Sequence, residues 1–343
     1  MIREHKILSA FGLSAFAFPL AYARLSWNGI WLVLSIVFFV VVASRYFFRV
    51  VPARYFLLVM MLVLSLHAQW GIAQFILQRD IGLYLFGESR LSTSVNGVAK
   101  FSVGDEKMIR AYGPYRHANT FGGMMVLGIV LLIFFAQRRD RSLYHVFFLM
   151  LFFLMLLGLL VSFSRTAYLA ATVPVLLAVQ RWRSGALKLA LLLLTVVVLF
   201  SPLLISRSRD PADVSASERR QGWKWSWSII MQGSSREAHY EPYRVALERY
   251  LTEAEIAHHP WQIDYVHSVP LLLAAEVGLG PAIILLLGIV VMIVYYWREG
   301  SVWFAWLLPL LLLDHYMLTQ ADAAYLATLG CLAMLDSARD VTL

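Results

Sequence analysis

The chain has little charge and almost no cysteine. Of its 343 residues only 15% are charged and one is cysteine, whereas 60% are hydrophobic and the mean hydropathy is +0.69. Soluble domains carry about 25% charged and about 45–50% apolar residues, so this composition excludes an ordinary soluble protein. The single Cys331 excludes a disulfide within the chain, and no Cys/His cluster offers a zinc site. The class that remains is a polytopic membrane protein.

The sequence contains long hydrophobic runs with few charged residues. About ten of them approach the ~20 residues that a membrane-spanning helix needs, at roughly 7–23, 27–43, 55–77, 121–136, 143–163, 166–179, 186–204, 281–297, 302–318 and 323–335. Pro174 is expected to kink its helix. Met1 to Lys6 leads into an apolar run without a small-residue cleavage site, which indicates a retained first helix. We therefore predict an all-α, multi-pass integral membrane protein.

The basic residues orient these helices, because cytoplasmic loops are enriched in Lys and Arg. With both termini in the cytoplasm, the short outer connections hold only Arg24 and Arg165, and the cytoplasmic loops hold Arg45, Arg49, Arg54, Arg138, Arg139, Arg141, Arg181, Arg183, Lys188 and Arg298. The long loops 78–120 and 205–266 then lie on the outer face. The chain divides into a transmembrane region 1–204 of about seven helices, an outer loop 205–266, and a transmembrane region 267–343 of about three helices.

The outer loops hold most of the polar material. In the first, residues 87–104 are expected to be irregular, Asn119 is suited to cap the next helix, and Gly122-Gly123 permits a close helix neighbour. In the second, residues 216–232 alternate Trp with Arg and Lys, as interfacial segments do, and 242–257 has the spacing of an amphipathic helix. This second loop carries eight basic and nine acidic residues. Despite a net charge of +8 for the whole chain, it is no platform for nucleic acid.

The stretch from Tyr265 to Gly280 contains the most informative pair of ionisable residues. It lies where the second outer loop re-enters the membrane, and it places His267 at the boundary. Nine residues of helix separate His267 from Glu276 by about 13 Å, so the two do not pair within one helix. We interpret His267 as the reactive group and Glu276 as a buried supporting group. The alternative for His267 is an imidazole that merely snorkels to the headgroups.

Several cations face the same outer boundary. Arg165 lies between two apolar spans and must snorkel, pair or bind an anion, and its planar fork suits phosphate. Arg219 and Arg220 adjoin the Trp-rich segment and suit either lipid headgroups or the same anion, and Arg116 is a further candidate. Asp314, within the span 302–318, is expected to hold either His315 or an arginine. Asp314 and His315 alone offer too few ligands for a metal site.

A histidine and several arginines at one membrane face suit a substrate with a diphosphate head and a lipid tail. The arginines would hold the diphosphate and stabilise its charge as it leaves. An unprotonated His267 would take a proton from the attacking hydroxyl. No metal or other cofactor is then required, because the arginines supply the positive charge.

At these residues the chain resembles the O-antigen ligase family of GT-C type bacterial membrane glycosyltransferases. The similar segments are Gly113 to Asn119 before a helix, Ser164-Arg165 followed by Thr166 to Leu169, Arg220-Gln221-Gly222-Trp223, and His267 to Leu271 continuing to Glu276-Val277-Gly278. Two departures stand out: Ser268 follows the histidine where the family has Asn, and a Pro-x-x-Gly-x-Gly turn is absent after Trp223.

The resemblance implies transfer of a glycan from undecaprenyl diphosphate to a glycan, lipid A–core or protein hydroxyl, on the outer face of the bacterial inner membrane. It implies His267 as the catalytic base and Arg165 and Arg220 as diphosphate ligands. Arg219 and Arg116 are further candidates for the diphosphate, and Asn119, Tyr168, Trp223, Glu276 and Asp314 are the expected supporting residues. The family also contains O-antigen or exopolysaccharide polymerases and protein O-oligosaccharyltransferases, and the sequence does not separate these activities.

Two functions of other classes stay open at this point. A transporter or flippase of lipid-linked glycans would need polar residues through the depth of the bilayer, whereas here the charges cluster at one face, with Asp314 the main exception. A non-catalytic scaffold would need the outer loops but neither His267 nor Arg165.

Overall fold

The computed structural model describes residues 53–136, 145–181, 200–206, 215–233, 243–258, 263–280 and 306–316, together with a few positions among 282–334. The expected spans 7–23 and 27–43, and most of 186–204, 281–297 and 323–335, lie outside the described residues. The chain forms two compact units. The first combines Met1–Phe39 with Val214–Ala321, and the second combines Val40–Asp213 with Asp322–Leu343.

The described part of the second unit is mainly helical. Its helices are α1 (Ala53–Leu77), α2 (Ala118–Ala136), α3 (His145–Val161) and α4 (Arg165–Arg181, which contains Pro174). Only Tyr55–Leu77 and Ala118–Phe135 among the described helices are long and apolar enough to cross a membrane, judged by length and composition. The mainly helical class agrees with the predicted all-α fold, and the full set of about ten spans stays a prediction.

Glycines bring α2 and its neighbours together. A Cβ atom on Gly128 would lie 2.6 Å from Sδ of Met155 in α3, and one on Gly158 of α3 would lie 2.8 Å from Sδ of Met125. A Cβ on Gly122 would meet the Ser162 hydroxyl at 2.7 Å, which bears out the close approach expected at this position. The side chains of α2 are almost fully buried, so this helix forms the core of the unit.

The loop between α1 and α2 contains a small antiparallel sheet that was not predicted from the sequence. Strands β1 (Lys100–Val103) and β2 (Glu106–Ile109) pair with Lys100 opposite Ile109, and Gly104 makes the turn with a φ of +60°. The expectation of an irregular 87–104 is therefore wrong at its C-terminal end. Strands of four residues with charged side chains carry too short an alternation to be recognised.

The described part of the first unit consists of four helices, α5 (Ser215–Gly233), α6 (Tyr243–Glu253), α7 (Val269–Val277) and α8 (Leu307–Leu313). Helix α6 confirms the predicted amphipathic helix, since Tyr243, Ala246, Leu247 and Leu251 are its buried residues. These side chains pack with Ile229 and Ile230 of α5 and with Leu272 and Leu273 of α7 in one hydrophobic core.

Helix α8 corrects the expected continuous span 302–318. The helix ends at Asp314, whose backbone is extended with φ −152° and ψ 161°. The backbone N–H of His315 donates to the Asp314 carboxylate at 2.9 Å. Asp314 and His315 therefore lie in a break, where their side chains are freed from the direction that a helix would impose.

Candidate functional site

His267 lies two residues before the start of α7. Ser268 is the N-cap residue of that helix, in extended conformation with φ −170°, and Pro270 lies in the first turn, where its missing N–H costs nothing. The N–H of Ser268 donates to the Val266 carbonyl at 2.7 Å, and the indole N–H of Trp223 donates to the His267 carbonyl at 3.3 Å. The helix start and α5 therefore both hold the backbone of His267.

The imidazole of His267 faces the carboxylate of Asp314. The distance from His267 Nδ1 to Asp314 Oδ1 is 3.5 Å, and the side chains are 25% and 4% exposed. This Nδ1 makes no hydrogen bond to any described residue. The 3.5 Å between Nδ1 and Oδ1 is longer than a normal N–H···O hydrogen bond, but it is within the range of an ion pair if the ring is protonated. Protonation of the ring would place a positive charge beside a nearly buried carboxylate.

Aromatic rings enclose this pair. The centroid of the His315 ring lies 5.1 Å from that of His267 and 4.1 Å from that of Tyr316, and the Tyr316 ring lies 6.0 Å from His267. Tyr265 lies 5.5 Å from His315. These contacts leave His267 partly accessible while Asp314 is shielded from water. Tyr265 and Tyr316 were not predicted as site residues, because an aromatic residue beside an apolar span has no distinctive pattern.

Helix α5 carries an arginine whose charge acts on Asp314 and on the neighbouring His315. Arg219 is half-buried, and its charge acts on both Asp314 and His315, whereas Arg220 is exposed. Arg219 also shares a helix face with Trp223, four residues on, which contacts the backbone of His267. Of the two candidate arginines, Arg219 is therefore the one whose charge acts on the carboxylate beside His267.

Glu276 lies near the end of α7 and contacts α6. It is 3% exposed, and its carboxylate accepts the backbone N–H of Tyr243 at 3.1 Å, at the start of α6. The Tyr243 hydroxyl bonds Ser226 at 2.8 Å, and burial raises the pKa of Tyr243 to about 12. Glu276 thus ties α7 to α6 and is buried as predicted, and its supporting role at the site stays a prediction.

The other candidate residues belong to the second unit. Arg165 is the first residue of α4 and is exposed, as is Arg116. Tyr168 donates its hydroxyl proton to the Leu160 carbonyl at 2.7 Å and so joins α4 to α3. Arg116, Arg165 and Tyr168 all lie in the second unit, and their roles in donor binding stay predictions.

Asn119 corrects one expectation and reveals a missed residue. Asn119 lies inside α2, and His117 accepts its backbone N–H through Nδ1 at 3.1 Å in the capping role expected of Asn119. The Asn119 side chain instead accepts a hydrogen bond from Arg110. Arg110 is 5% exposed and also donates to the Ser162 carbonyl at 2.7 Å. In the sequence, Arg110 resembles any other loop arginine.

The described site can accept a proton from a hydroxyl and stabilise the cation that results. It combines a half-buried imidazole, a shielded carboxylate beside it and an arginine on the adjacent helix. No protein-family model, no curated protein and no solved structure matches this chain.

Proposed function

We propose that the protein is a bacterial inner-membrane glycosyltransferase of the O-antigen ligase type. It transfers a glycan from undecaprenyl diphosphate to an acceptor hydroxyl on the outer face of the membrane. The observation that carries the proposal is the pairing of His267 with Asp314 at 3.5 Å, because a carboxylate beside an imidazole is the arrangement that general-base catalysis uses. The similarity of the segments around Arg165, Arg220 and His267 to that family supplies the substrate class.

In the proposed reaction the neutral imidazole removes the proton of the acceptor hydroxyl. Nδ1 of His267 faces Asp314, so Nε2 is the nitrogen left to accept the proton. The acceptor oxygen bonds to the anomeric carbon as the bond from that carbon to the phosphate oxygen breaks, and the lipid diphosphate leaves with the electron pair. Asp314 stabilises the imidazolium, which later returns the proton to solvent or to the leaving phosphate.

The arginines serve the donor in this proposal. Diphosphate charge grows during departure, and guanidinium groups stabilise it best when they are already in position. Arg219 lies in the same unit as His267, and its charge acts on Asp314. Arg116, Arg165 and Arg220 are proposed donor ligands on sequence grounds. Arg165→Lys is expected to weaken donor binding, because lysine keeps the charge and loses the bidentate fork.

The decisive experiment is the glycan profile of the native host carrying His267→Ala at normal expression. Full-length chains stranded on the lipid carrier would identify a ligase, and single repeat units on carrier or acceptor would identify a polymerase. The matched control is His258→Ala, which removes a second histidine of the same unit whose Nδ1 lies 2.9 Å from the Ile256 carbonyl. An unchanged profile in His267→Ala, with the protein present in the membrane, would refute the proposed base.

The same strains distinguish functions of other classes. A flippase reconstituted in proteoliposomes would move lipid-linked glycan without cleaving the bond to phosphate. A scaffold would tolerate His267→Ala and Arg165→Lys and would fail when residues 205–266 are deleted. Either result would replace the transferase proposal.

A further inference from the structure

The break at the end of α8 brings three metal-binding side chains together. His267, Asp314 and His315 each offer one ligand atom, and these atoms all lie within 4.8 Å of one another. In sequence, Asp314 and His315 alone are two adjacent ligands. The fold adds His267 as the third ligand, which lies 47 positions before Asp314 in the chain and close to the start of α7.

The chemistry and spacing of the three residues fit a zinc-type ion. Two imidazoles and one carboxylate form the three-ligand set of many zinc sites whose fourth position is open. With metal–ligand distances of about 2.0–2.2 Å, neighbouring ligand atoms of a tetrahedral site lie about 3.4 Å apart. The His267–Asp314 separation of 3.5 Å already has this value, and side-chain rotation has to close the widest separation by about 1.4 Å.

We propose that His267, Asp314 and His315 bind a divalent transition-metal ion of the zinc class, and that the bound ion inhibits the site. Binding follows from the ligand set alone. Inhibition rests on the proposed function, because an ion on His267 would take the imidazole and the carboxylate that the base needs. Nitrogen ligands favour Zn²⁺ or Co²⁺ over Mg²⁺ and Ca²⁺, so the latter two are not expected to bind.

Charge around the cluster sets the expected strength of binding. Asp314 is the one carboxylate among the three ligands, and the positive charge of Arg219 acts on both Asp314 and His315. Asp264 acts on His315 with the opposite sign. A nearby cation opposes a metal ion, so we expect weaker and more salt-dependent binding than at a structural zinc site. Arg219→Gln should tighten it.

Cobalt provides a direct test of binding that needs no enzyme activity. The full-length chain, carrying no polyhistidine tag and stripped of metal with a chelator, is titrated with Co²⁺ in detergent. We expect the visible absorption bands of four-coordinate cobalt in the wild type and in His258→Ala, and their loss in His315→Ala. His315→Gln keeps a polar side chain at this buried position and replaces the alanine variant if that one unfolds. Absent bands in the wild type, or unchanged bands in both His315 variants, would overturn the site.

Transfer activity then tests inhibition separately. Each protein is assayed with and without Zn²⁺, and its activity is expressed relative to its own metal-free value. The zinc concentration is chosen so that zinc displaces cobalt from the site completely. At that concentration we expect the activity of the wild type to fall at least 10-fold and that of His315→Gln to fall much less. If cobalt binds but zinc does not inhibit transfer, the inhibitory role is wrong and the metal-binding site stands. If the protein binds cobalt but transfers no glycan under any condition, the proposed function is wrong and the metal-binding site stands.

A second inference comes from an exposed apolar turn in the first outer loop, which we call the apolar tip. It is the 3-10 turn Tyr84–Phe86, in which Tyr84, Leu85 and Phe86 are 51%, 99% and 71% exposed. Gly87, with φ +88°, closes the turn through its N–H to the Tyr84 carbonyl at 3.0 Å. A fully exposed leucine beside an exposed phenylalanine requires a partner surface.

The surroundings of the apolar tip identify that surface as lipid. Helix α1, a candidate membrane span, ends at Leu77, and its last residues Ile76 and Leu77 are themselves 72% and 51% exposed. Only six residues separate Leu77 from Tyr84, so the tip lies near the end of the span. Arg79 and Arg90 are exposed on either side of it, as suits contact with anionic headgroups.

We infer that the apolar tip inserts Leu85 and Phe86 into the outer leaflet beside α1; the inference rests on the proposed membrane location of the chain. The test places an environment-sensitive fluorophore on Leu85→Cys in a Cys331→Ser background, in nanodiscs containing nitroxide-labelled anionic lipid. Quenching is expected at position 85 and not at Ser94→Cys, an exposed position in the same loop. A probe at position 85 that stays water-exposed, or that is shielded without lipid quenching, would overturn the inference.

Discussion

Replacing Glu88 with Gln should destabilise the loop between α1 and α2. The Glu88 side chain is 6% exposed, and its Oε1 accepts hydrogen bonds from Trp70 Nε1 at 3.0 Å, Gln74 Nε2 at 2.8 Å and the Ile81 N–H at 2.8 Å. Its Oε2 accepts the N–H of Leu83. One carboxylate therefore ties the end of α1 to the loop, and glutamine, with one acceptor oxygen, is unable to receive all four donors.

The expected cost follows from this geometry. A hydrogen bond to a charged group contributes about 1.5–3 kcal/mol, and glutamine loses the Leu83 bond outright, places two N–H groups against each other and weakens the other three bonds. We expect Glu88→Gln to lower the free energy of unfolding by about 2–4 kcal/mol. That corresponds to a Tm lower by about 5–10 °C in a unit of this size.

The pH dependence gives a second signature. Burial alone would raise the pKa of Glu88, but the bonds from Gln74, Ile81, Trp70 and Leu83 outweigh it and lower the pKa below the ordinary 4.5. Because the folded pKa is lower than the unfolded one, this contribution to stability is complete above 4.5 and is lost as the pH falls through the folded pKa. Glu88→Gln should lack this acid-dependent loss.

The assay is thermal unfolding of the full chain in detergent, followed by the fluorescence of its tryptophans. The matched control is Glu106→Gln, an exposed residue of β2, which should change stability by less than about 0.5 kcal/mol. A Glu88→Gln protein with a Tm within about 1 °C of wild type at neutral pH would refute the reasoning.

Three further predictions follow from other contacts. Asp314→Asn keeps the acceptor for the His315 N–H at 2.9 Å but loses the negative charge beside His267. Initial-rate assays should therefore show a kcat lower by about 10²–10⁴-fold with little change in the KM for the donor. A kcat equal to that of the wild type would contradict the role of the His267–Asp314 pair. Gly122→Ala forces a Cβ to within 2.7 Å of Ser162 and should cost about 1–3 kcal/mol in thermal unfolding, whereas Gly222→Ala, with nothing within 4 Å, should be neutral or stabilising. Tyr243→Phe should cost about 1 kcal/mol in the same measurement, because Ser226 still donates to the Gly222 carbonyl at 2.7 Å and loses only the tyrosine bond; an unchanged Tm would mean that this buried bond adds nothing.

Periodicity and composition predicted the elements that depend on local pattern. The runs around 55–77, 121–136, 143–163 and 166–179 are helices because each is apolar and contains no proline apart from Pro174. The segment 242–257 contains an amphipathic helix because its apolar residues recur at helical spacing. The β1–β2 hairpin and the break at Asp314 were missed. Each is a few residues long within a longer loop or apolar run, so the local sequence pattern does not reveal it.

The candidate site divides in the same way. The sequence by itself determined that the chain is apolar and mainly helical, and it identified His267, the arginine pair on α5 and Asp314 as residues that need an explanation. Only the tertiary structure placed Asp314 beside His267, added His315 to make a three-ligand cluster, and showed which of Arg219 and Arg220 acts on the carboxylate. The reason is physical: local pattern fixes which side chains share a helix face, whereas pairing across 47 residues depends on how α5, α7 and α8 pack around a common core.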